Sequence, residues 1–219
     1  MKKILTNNHN FNREAEFKIQ FKEHQTINTF YSQAGQDLFV LMALNGKKNG
    51  KFVEIGSWEP KFINNTYLLE SKFNWKGVLI EIDESFANKC KKERTSSVIC
   101  GDATKLDYEL IFKELKEIDY VSLDIDGMNT LHTLEKLPLN EYKVKVITFE
   151  HDLWRTNAQV KNKSRRIFDE LGYERICGDV ANKNNIYEDW YVHPELVDIQ
   201  NLKNLKSNGK NWDSILFNN

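Results

Sequence analysis

The sequence has little punctuation. Three prolines and ten glycines in 219 residues leave no room for a flexible linker or a low-complexity tract. Three cysteines, Cys90, Cys100 and Cys177, are odd in number and far apart. They form no CxxC and have no histidine partner at zinc spacing, so the expectation is reduced thiols in a cytoplasmic protein rather than a disulfide framework or a zinc site. Charge of one sign is also lacking: 31 basic residues face 32 acidic ones, a net charge of -1. That balance argues against gripping nucleic acid or an anionic membrane as the main task. No apolar run approaches the about 18–20 residues of a membrane span, and the only apolar stretch near the N-terminus is Ile4-Leu5, too short for a secretory leader. With 40% hydrophobic and 29% charged residues, what remains is one domain with a sizeable core.

A strand–helix rhythm is what the chain does have. Short β-branched or apolar runs, KFVEIG (51–56), KGVLIEI (76–82), SSVICGD (96–102), DYVSLDID (119–126) and VKVITFE ending at Glu150, alternate with amphipathic segments at 65–73, 85–94, 108–117 and 128–137. Units of this kind predict consecutive βα crossovers and a parallel sheet covered on both faces. A helix at 165–173 follows, then two strands, 173–180 and 186–192, joined by a loop short enough to favour an antiparallel hairpin. A helix starting at Gln36 ends at Asn45-Gly46. Residues 1–28 are expected to be an extension that wraps the domain or frays. Residues 29–219 form the single domain, its tail from 194 a peripheral weak helix.

Acids terminate the predicted strands: Glu54, Glu81, Asp102, Asp124 with Asp126, and Glu150 followed by His151. Open parallel sheets bind ligands outside the carboxyl ends of their strands. The loop after the first strand, Glu54-Ile55-Gly56-Ser57-Trp58-Glu59-Pro60, carries one glycine, so it is neither GxGxxG nor a phosphate-cradling GK[ST] loop. A nucleoside bearing a zwitterionic amino-acid tail asks for less glycine. Its ammonium pairs with an acid, its ribose diol with a carboxylate and its adenine amino group with another; Glu54, Glu81 and Asp102 meet these demands in order. That ligand is S-adenosylmethionine.

The segments YSQAGQDLFV (31–40), FVEIGSWEPKFINNTYLLE (52–70), WKGVLIEID (75–83), GDA (101–103), IDYVSLDIDG (118–127), ITFEHD (147–152) and EDWYV (188–192) resemble the FkbM-like methyltransferases. The resemblance covers about residues 31 to 192. It implies an α/β, Rossmann-like class I methyltransferase sandwich: a mostly parallel seven-stranded sheet with an antiparallel last strand and helices on both faces. It also implies O-methylation, commonly of sugar hydroxyls in glycans or glycosylated small molecules. By the same resemblance, Glu54, Gly56 and Ser57 belong to the first cofactor motif. Glu81 and Ile82 hold the ribose, Asp102 and Ala103 the adenine, and Asn65-Thr66 the methionine end, with Gln33, Gln36, Asp37 and Asp124 beside the cofactor. Trp58 and Pro60 depart from the family's pattern of small residues.

An alcohol acceptor must shed a proton, to a general base or with help from a metal. Asp124, Glu150 and His151 are the candidate catalytic residues. Asp124 and Asp126, at i and i+2, would face one way on a strand, and with Glu150 they offer hard oxygen ligands suited to Mg²⁺. His151 offers a base titrating near neutrality. The expected partner is a small-molecule or glycan hydroxyl acceptor, with no nucleic acid and no membrane span; a homo-oligomer stays open. Two other functions compete: a metal-dependent hydrolase built on the acidic strand ends, and a non-catalytic domain that keeps the fold.

Overall fold

The computed structural model describes residues 2–7, 11–156, 158–183 and 185–218. The chain opens with β1 (Lys3–Asn7), β2 (Asn12–Phe17) and β3 (Thr29–Phe30), followed by α1 (Gln36–Ala43). The crossover units follow as β4 (Lys51–Ile55), α2 (Tyr67–Phe73), β5 (Lys76–Glu81), α3 (Glu84–Glu93), β6 (Ser97–Cys100), α4 (Tyr108–Leu115), β7 (Tyr120–Leu123), α5 (Met128–Leu134) and β8 (Val146–Glu150). Two helices, α6 (Leu153–Thr156) and α7 (Gln159–Glu170), lead to the hairpin of β9 (Glu174–Asn182) and β10 (Asn185–Val192). The tail contributes β11 (Ser207–Asn208), α8 (Trp212–Leu216) and β12 (Phe217–Asn218).

The main sheet runs β11-β9-β10-β8-β7-β4-β5-β6. Strands β4 to β8 pair in parallel, and β10 is antiparallel to both β8 and β9. This is the expected mostly parallel sheet with an antiparallel last strand, widened by the two-residue β11 at its edge. The strands lack polar alternation because both faces are covered: β7 and β8 are buried at every position. Successive residues feed opposite cores. Phe52, Tyr120, Val146 and Trp190 join the cluster containing Phe39 of α1, Leu69 of α2 and Trp212 of α8. Val53, Val121, Ile147 and Tyr191 join the cluster containing Phe112 of α4, Leu131 of α5 and Phe168 of α7. Trp190 lies 4.7 Å from Phe39 on one side, and Tyr191 stacks 4.1 Å from Phe168 on the other.

Three features differ from the sequence reading. β7 stops at Leu123, because Asp126 (φ 66) and Gly127 (φ 62) leave the extended region. α7 begins at Gln159, well before Arg165; its buried stripe is Val160, Ser164 and Phe168, a helical period that a serine conceals. The N-terminal strands are tied to the C-terminus in a second sheet, ordered β12-β2-β1-β3, which buries Leu5, Phe17 and Phe217.

One arginine joins the elements around the first crossover. The Arg94 side chain is fully buried. It donates to Glu70 at 3.2 Å, to the Asn64 Oδ1 at 3.0 Å, to the Thr66 hydroxyl at 2.9 Å and to the Pro60 carbonyl at 3.2 Å. It stands 3.8 Å from Glu54. Two buried carboxylates therefore depend on one cation. Removing one member of such a group strands the others without compensation. Arg94→Met is expected to lose about 3–5 kcal/mol in urea unfolding at pH 8. Adding Glu54→Gln is expected to recover part of that loss; an unchanged midpoint in the single variant would show that the arrangement contributes nothing.

Candidate active site

The carboxyl ends of β4, β5 and β6 converge on one pocket lined by Gly56, Glu81, Ile82, Asp102, Ala103 and Asn129. Gly56 turns the chain at φ +90, and a Cβ there would lie 1.9 Å from the Asp124 carbonyl oxygen. Only glycine lets the loop after β4 cross the end of β7 so closely. Glu81 is held rigidly: one oxygen accepts the Trp58 amide at 2.7 Å and the other the Asp83 amide at 2.9 Å. Asp102 caps the turn that follows, accepting from the Thr104 amide and hydroxyl at 3.0 and 2.7 Å. The Thr104 hydroxyl, with Lys105, holds its carboxyl down at about 2. Ile82 is 70% exposed, an apolar face left open beside two fixed carboxylates. Trp58 and Pro60 do not line this pocket; Trp58 turns outward to Phe62 and Phe86.

Several residues expected at the cofactor do not line this pocket. Glu54 is buried beneath the loop, where it accepts from Asn64 at 3.1 Å, the Asn65 amide at 2.9 Å and the Thr66 hydroxyl at 2.6 Å. A carboxylate so occupied shapes the loop instead of meeting a ligand's ammonium. Asn65 donates to the Ser122 hydroxyl of β7 at 2.9 Å, and Ser57 is buried facing the Cys90 thiol at 3.9 Å. Asp37 folds back on its own turn, accepting from the Tyr31 and Leu38 amides and the Ser32 hydroxyl. Gln36 ties α1 to the sheet through Glu188 at 2.9 Å. Gln33 does face open space, but in a second pocket.

That second pocket adjoins the ends of β7 and β8. Asp126, Glu150, Asp152, Arg155 and Tyr187 line it, with Gln33, Asn182, Lys183 and Asn185. Asp126, Glu150 and Asp152 each place a carboxylate oxygen within 4.8 Å of the others. Asp126 joins this group from the loop and not by strand period, since it lies past the strand in a left-handed turn that carries it to Arg155. Asp124 lies against Glu150, and burial, with the Asp124 carboxyl alongside, lifts the Glu150 pKa well above the ordinary value. Glu150 and Asp152 each keep one buried oxygen with no hydrogen-bond partner. Asp152 was missed although it stands two residues beyond Glu150, and Glu188, paired across the strands with Glu150, was read only as part of a closing strand.

His151 is not in this group. One residue past Glu150, its ring is fully buried, with Nε2 3.5 Å from Asp189 and 3.7 Å from Asp179. Arg165 holds Asp189 at 2.7 Å and Lys161 holds Asp179 at 3.1 Å. Burial opposes ionisation there, yet the bonds from Arg165, with the His151 ring alongside, keep Asp189 well below the usual carboxylate range. An imidazole enclosed in this ionic network on the α7 face does not reach the acid pocket, which corrects the expectation of a histidine base.

No family model and no curated protein matches the sequence. Solved structures do resemble it. TYW2 of P. horikoshii in complex with MeSAdo aligns with a TM-score of 0.50 at 16% identity, covering 88% of this chain and 71% of that one. A putative O-methyltransferase from Klebsiella pneumoniae aligns at 0.47 and 15% identity, covering 73% and 80%. The small RNA methyltransferase HEN1 aligns at 0.45 and 10% identity, covering 74% of this chain and 25% of that one; the chain spans a quarter of its length. Together with the strand order, the TYW2 likeness defines a Rossmann-like class I methyltransferase fold.

The buried acids set a pH dependence. Burial raises Asp37 to about 6, Glu54 to about 7 and Glu188 to about 8, against the pull of their hydrogen bonds. All three lie above the unfolded values, so the folded state holds extra protons between about pH 4 and these values, and stability falls as pH rises through them. His193, lowered by burial, opposes this only below its ordinary 6.5. Thermal melts are expected to show the midpoint falling by several degrees from pH 6 to pH 8, with Glu188→Gln flattening the upper part. A midpoint that rises over this range would contradict the assignment.

Proposed function

We propose that the protein is an S-adenosylmethionine-dependent O-methyltransferase acting on a sugar hydroxyl, in keeping with the FkbM-like sequence motifs. The observation that carries the reading is the convergence of Gly56, Glu81, Asp102 and Ala103 on one pocket, beside a second pocket walled by acids. The donor set fits the cofactor: a glycine turn packed tightly over the end of β7, a fixed carboxylate for the ribose diol and a second for the adenine amino group. S-adenosylmethionine supplies an electrophilic methyl group when bound. Glu81 orients the ribose, Asp102 with Ala103 the adenine, and Ile82 covers an apolar ring face. Glu54, Asn65 and Thr66 keep the loop in shape. Most of the acceleration comes from positioning. The acceptor hydroxyl sits in the second pocket, and the Asp124–Glu150 pair takes its proton, an acid pair with a raised pKa being the stronger base for an alcohol.

A second reading of the same pocket is favoured by the buried Glu150 oxygen that has no hydrogen-bond partner. Asp126, Glu150 and Asp152 would then hold Mg²⁺, which acidifies an alcohol bound to it. The hard carboxylate oxygens suit that ion.

Calorimetric titration with S-adenosylhomocysteine tests the first step. Micromolar binding is expected, weakened about 10–100-fold by Glu81→Ala through loss of a charged hydrogen bond. Folded wild-type protein that binds none would overturn the reading and leave the hydrolase or the inactive scaffold. In methyl transfer from labelled cofactor to a saccharide panel, Glu150→Gln is expected to lower kcat about 10²–10⁴-fold with cofactor affinity unchanged. A separate Mg²⁺ heat abolished by Asp152→Asn would decide for the metal-assisted form; no Mg²⁺ heat and full turnover in chelator would decide for the acid pair alone.

A further inference from the structure

The loop after β4 departs from local preference at a residue that does not line the cofactor pocket. Trp58 has φ 46, in the left-handed region where a bulky side chain is an outlier and glycine the usual occupant. Ile63, further along the same loop, has φ 49. Trp58 is also 41% exposed, so burial in a core does not account for a tryptophan here. What the residue does reach is Glu81. Its amide donates to one carboxylate oxygen at 2.7 Å, and the Asp83 amide donates to the other at 2.9 Å. Each oxygen keeps a further lone pair, so a carboxylate gripped in this way can still accept from adjacent hydroxyls. The direction in which it does so is set by where the two amides stand.

The Asp83 amide is placed by the strand end itself, two residues past Glu81. The Trp58 amide comes from the preceding crossover, 23 residues away along the chain, and needs an anchor. The indole supplies one. Its ring lies 5.8 Å from Phe62 in the same loop and 5.8 Å from Phe86 in the first turn of α3. Asp83 caps that turn, accepting from the Phe86 amide at 3.1 Å, so Phe86 is tied to both arms that hold Glu81. The Cys90 thiol of α3 donates to the Trp58 carbonyl at 3.5 Å. Ion pairs Lys89–Glu59 at 2.7 Å and Lys61–Glu93 at 2.8 Å also join the loop to α3, but exposed pairs of this kind add little. The ring contacts are the firmer link.

We propose that Trp58 is a positioning residue for the cofactor site: its indole, seated against Phe62 and Phe86, holds the loop in the left-handed turn that keeps the Trp58 amide on Glu81, and so aims the Glu81 carboxylate at a ribose diol. The proposal rests on the reading of Glu81 as the ribose contact and gives the exposed tryptophan a task in it. The indole touches no ligand; it acts through Glu81. Its removal therefore matters only while Glu81 is present, and it weakens a ligand with the full diol more than one lacking a hydroxyl. A tryptophan that merely packed the surface would show neither behaviour.

The test is calorimetric titration of the full chain with S-adenosylhomocysteine and with its 2′-deoxyribose analogue, circular dichroism reporting the fold of each variant. Glycine keeps the amide and tolerates the backbone, so Trp58→Gly removes the indole alone. It is expected to weaken S-adenosylhomocysteine about tenfold and the deoxy analogue less, erasing most of the wild-type preference for the full diol. Phe86→Ala is expected to do the same, and it carries the test should Trp58→Gly not fold. Trp58→Phe, which returns a ring to Phe62 and Phe86, is expected to bind as wild type does. In the Glu81→Ala background, adding Trp58→Gly is expected to change affinity by no more than about twofold. Unchanged or tighter binding by Trp58→Gly would overturn the proposal. So would an equal loss for both ligands, or a further loss of about tenfold in the Glu81→Ala background. Each of these leaves the proposed function standing. Folded wild type that binds no S-adenosylhomocysteine would overturn the methyltransferase reading, and this one with it.

Discussion

Every assignment at the carboxyl edge depends on the two-residue period of a sheet that is covered on both faces. Residue 150 points to the face of α1 and α2, residue 151 to the face of α7. Glu188 and Asp189 divide in the same way: Glu188 meets Gln36 of α1, while Asp189 meets Arg165 of α7. Four neighbouring titratable groups are thereby sorted into two environments by backbone geometry alone. Glu150 joins the open acid pocket, and His151 is locked into an ionic network. The same period carries Glu54 under the first loop, where it cannot face a ligand, while its strand neighbours at 53 and 55 fill the opposite core.

Burying so many carboxylates is costly, and the fold meets the cost unequally. Glu70 accepts from Arg94, the Thr95 amide and Ser96, and these interactions with Arg94 outweigh burial and lower its pKa. Glu54 shares that arginine and stays near neutrality. Glu150 has no cation beside it among the described residues and keeps one buried oxygen without a hydrogen-bond partner. Asp126 and Asp152, on the same pocket, both have Arg155 beside them. Gly56, Trp58, Asp126, Gly127 and Asp152, in the loops at the carboxyl edge, have positive φ, as do Asn45, Asn49 and Asn74 in turns elsewhere.

The sheet was legible in the sequence because its strands are continuous apolar runs that end in acids, and a strand buried on both faces needs such runs. Glu81, Asp102, Ala103, Gly56 and Ile82 were legible for the same reason: they sit at or immediately past those ends and line one pocket. The reading weakened where regular backbone stopped. Asp126 was assigned a side by strand period, but the strand had already ended at Leu123. His151 was weighed by its chemistry, whereas its place was decided by the alternation that Glu150 had begun. The first twenty-eight residues carry no clean period because β1 and β2 are short and paired with each other and with the C-terminal β12, a long-range contact that no local pattern records.

The central claim is that one ligand lies across the ends of β4, β5 and β6 with its reactive end toward the acid pocket. A crystal structure with S-adenosylhomocysteine tests it most directly. The account requires the ribose hydroxyls on Glu81, the adenine beside Asp102 and Ala103, and the sulfur turned toward the cavity bounded by Glu150 and Tyr187. Density for the ligand in any other cavity, or in this one with the sulfur turned away from Glu150, would contradict it.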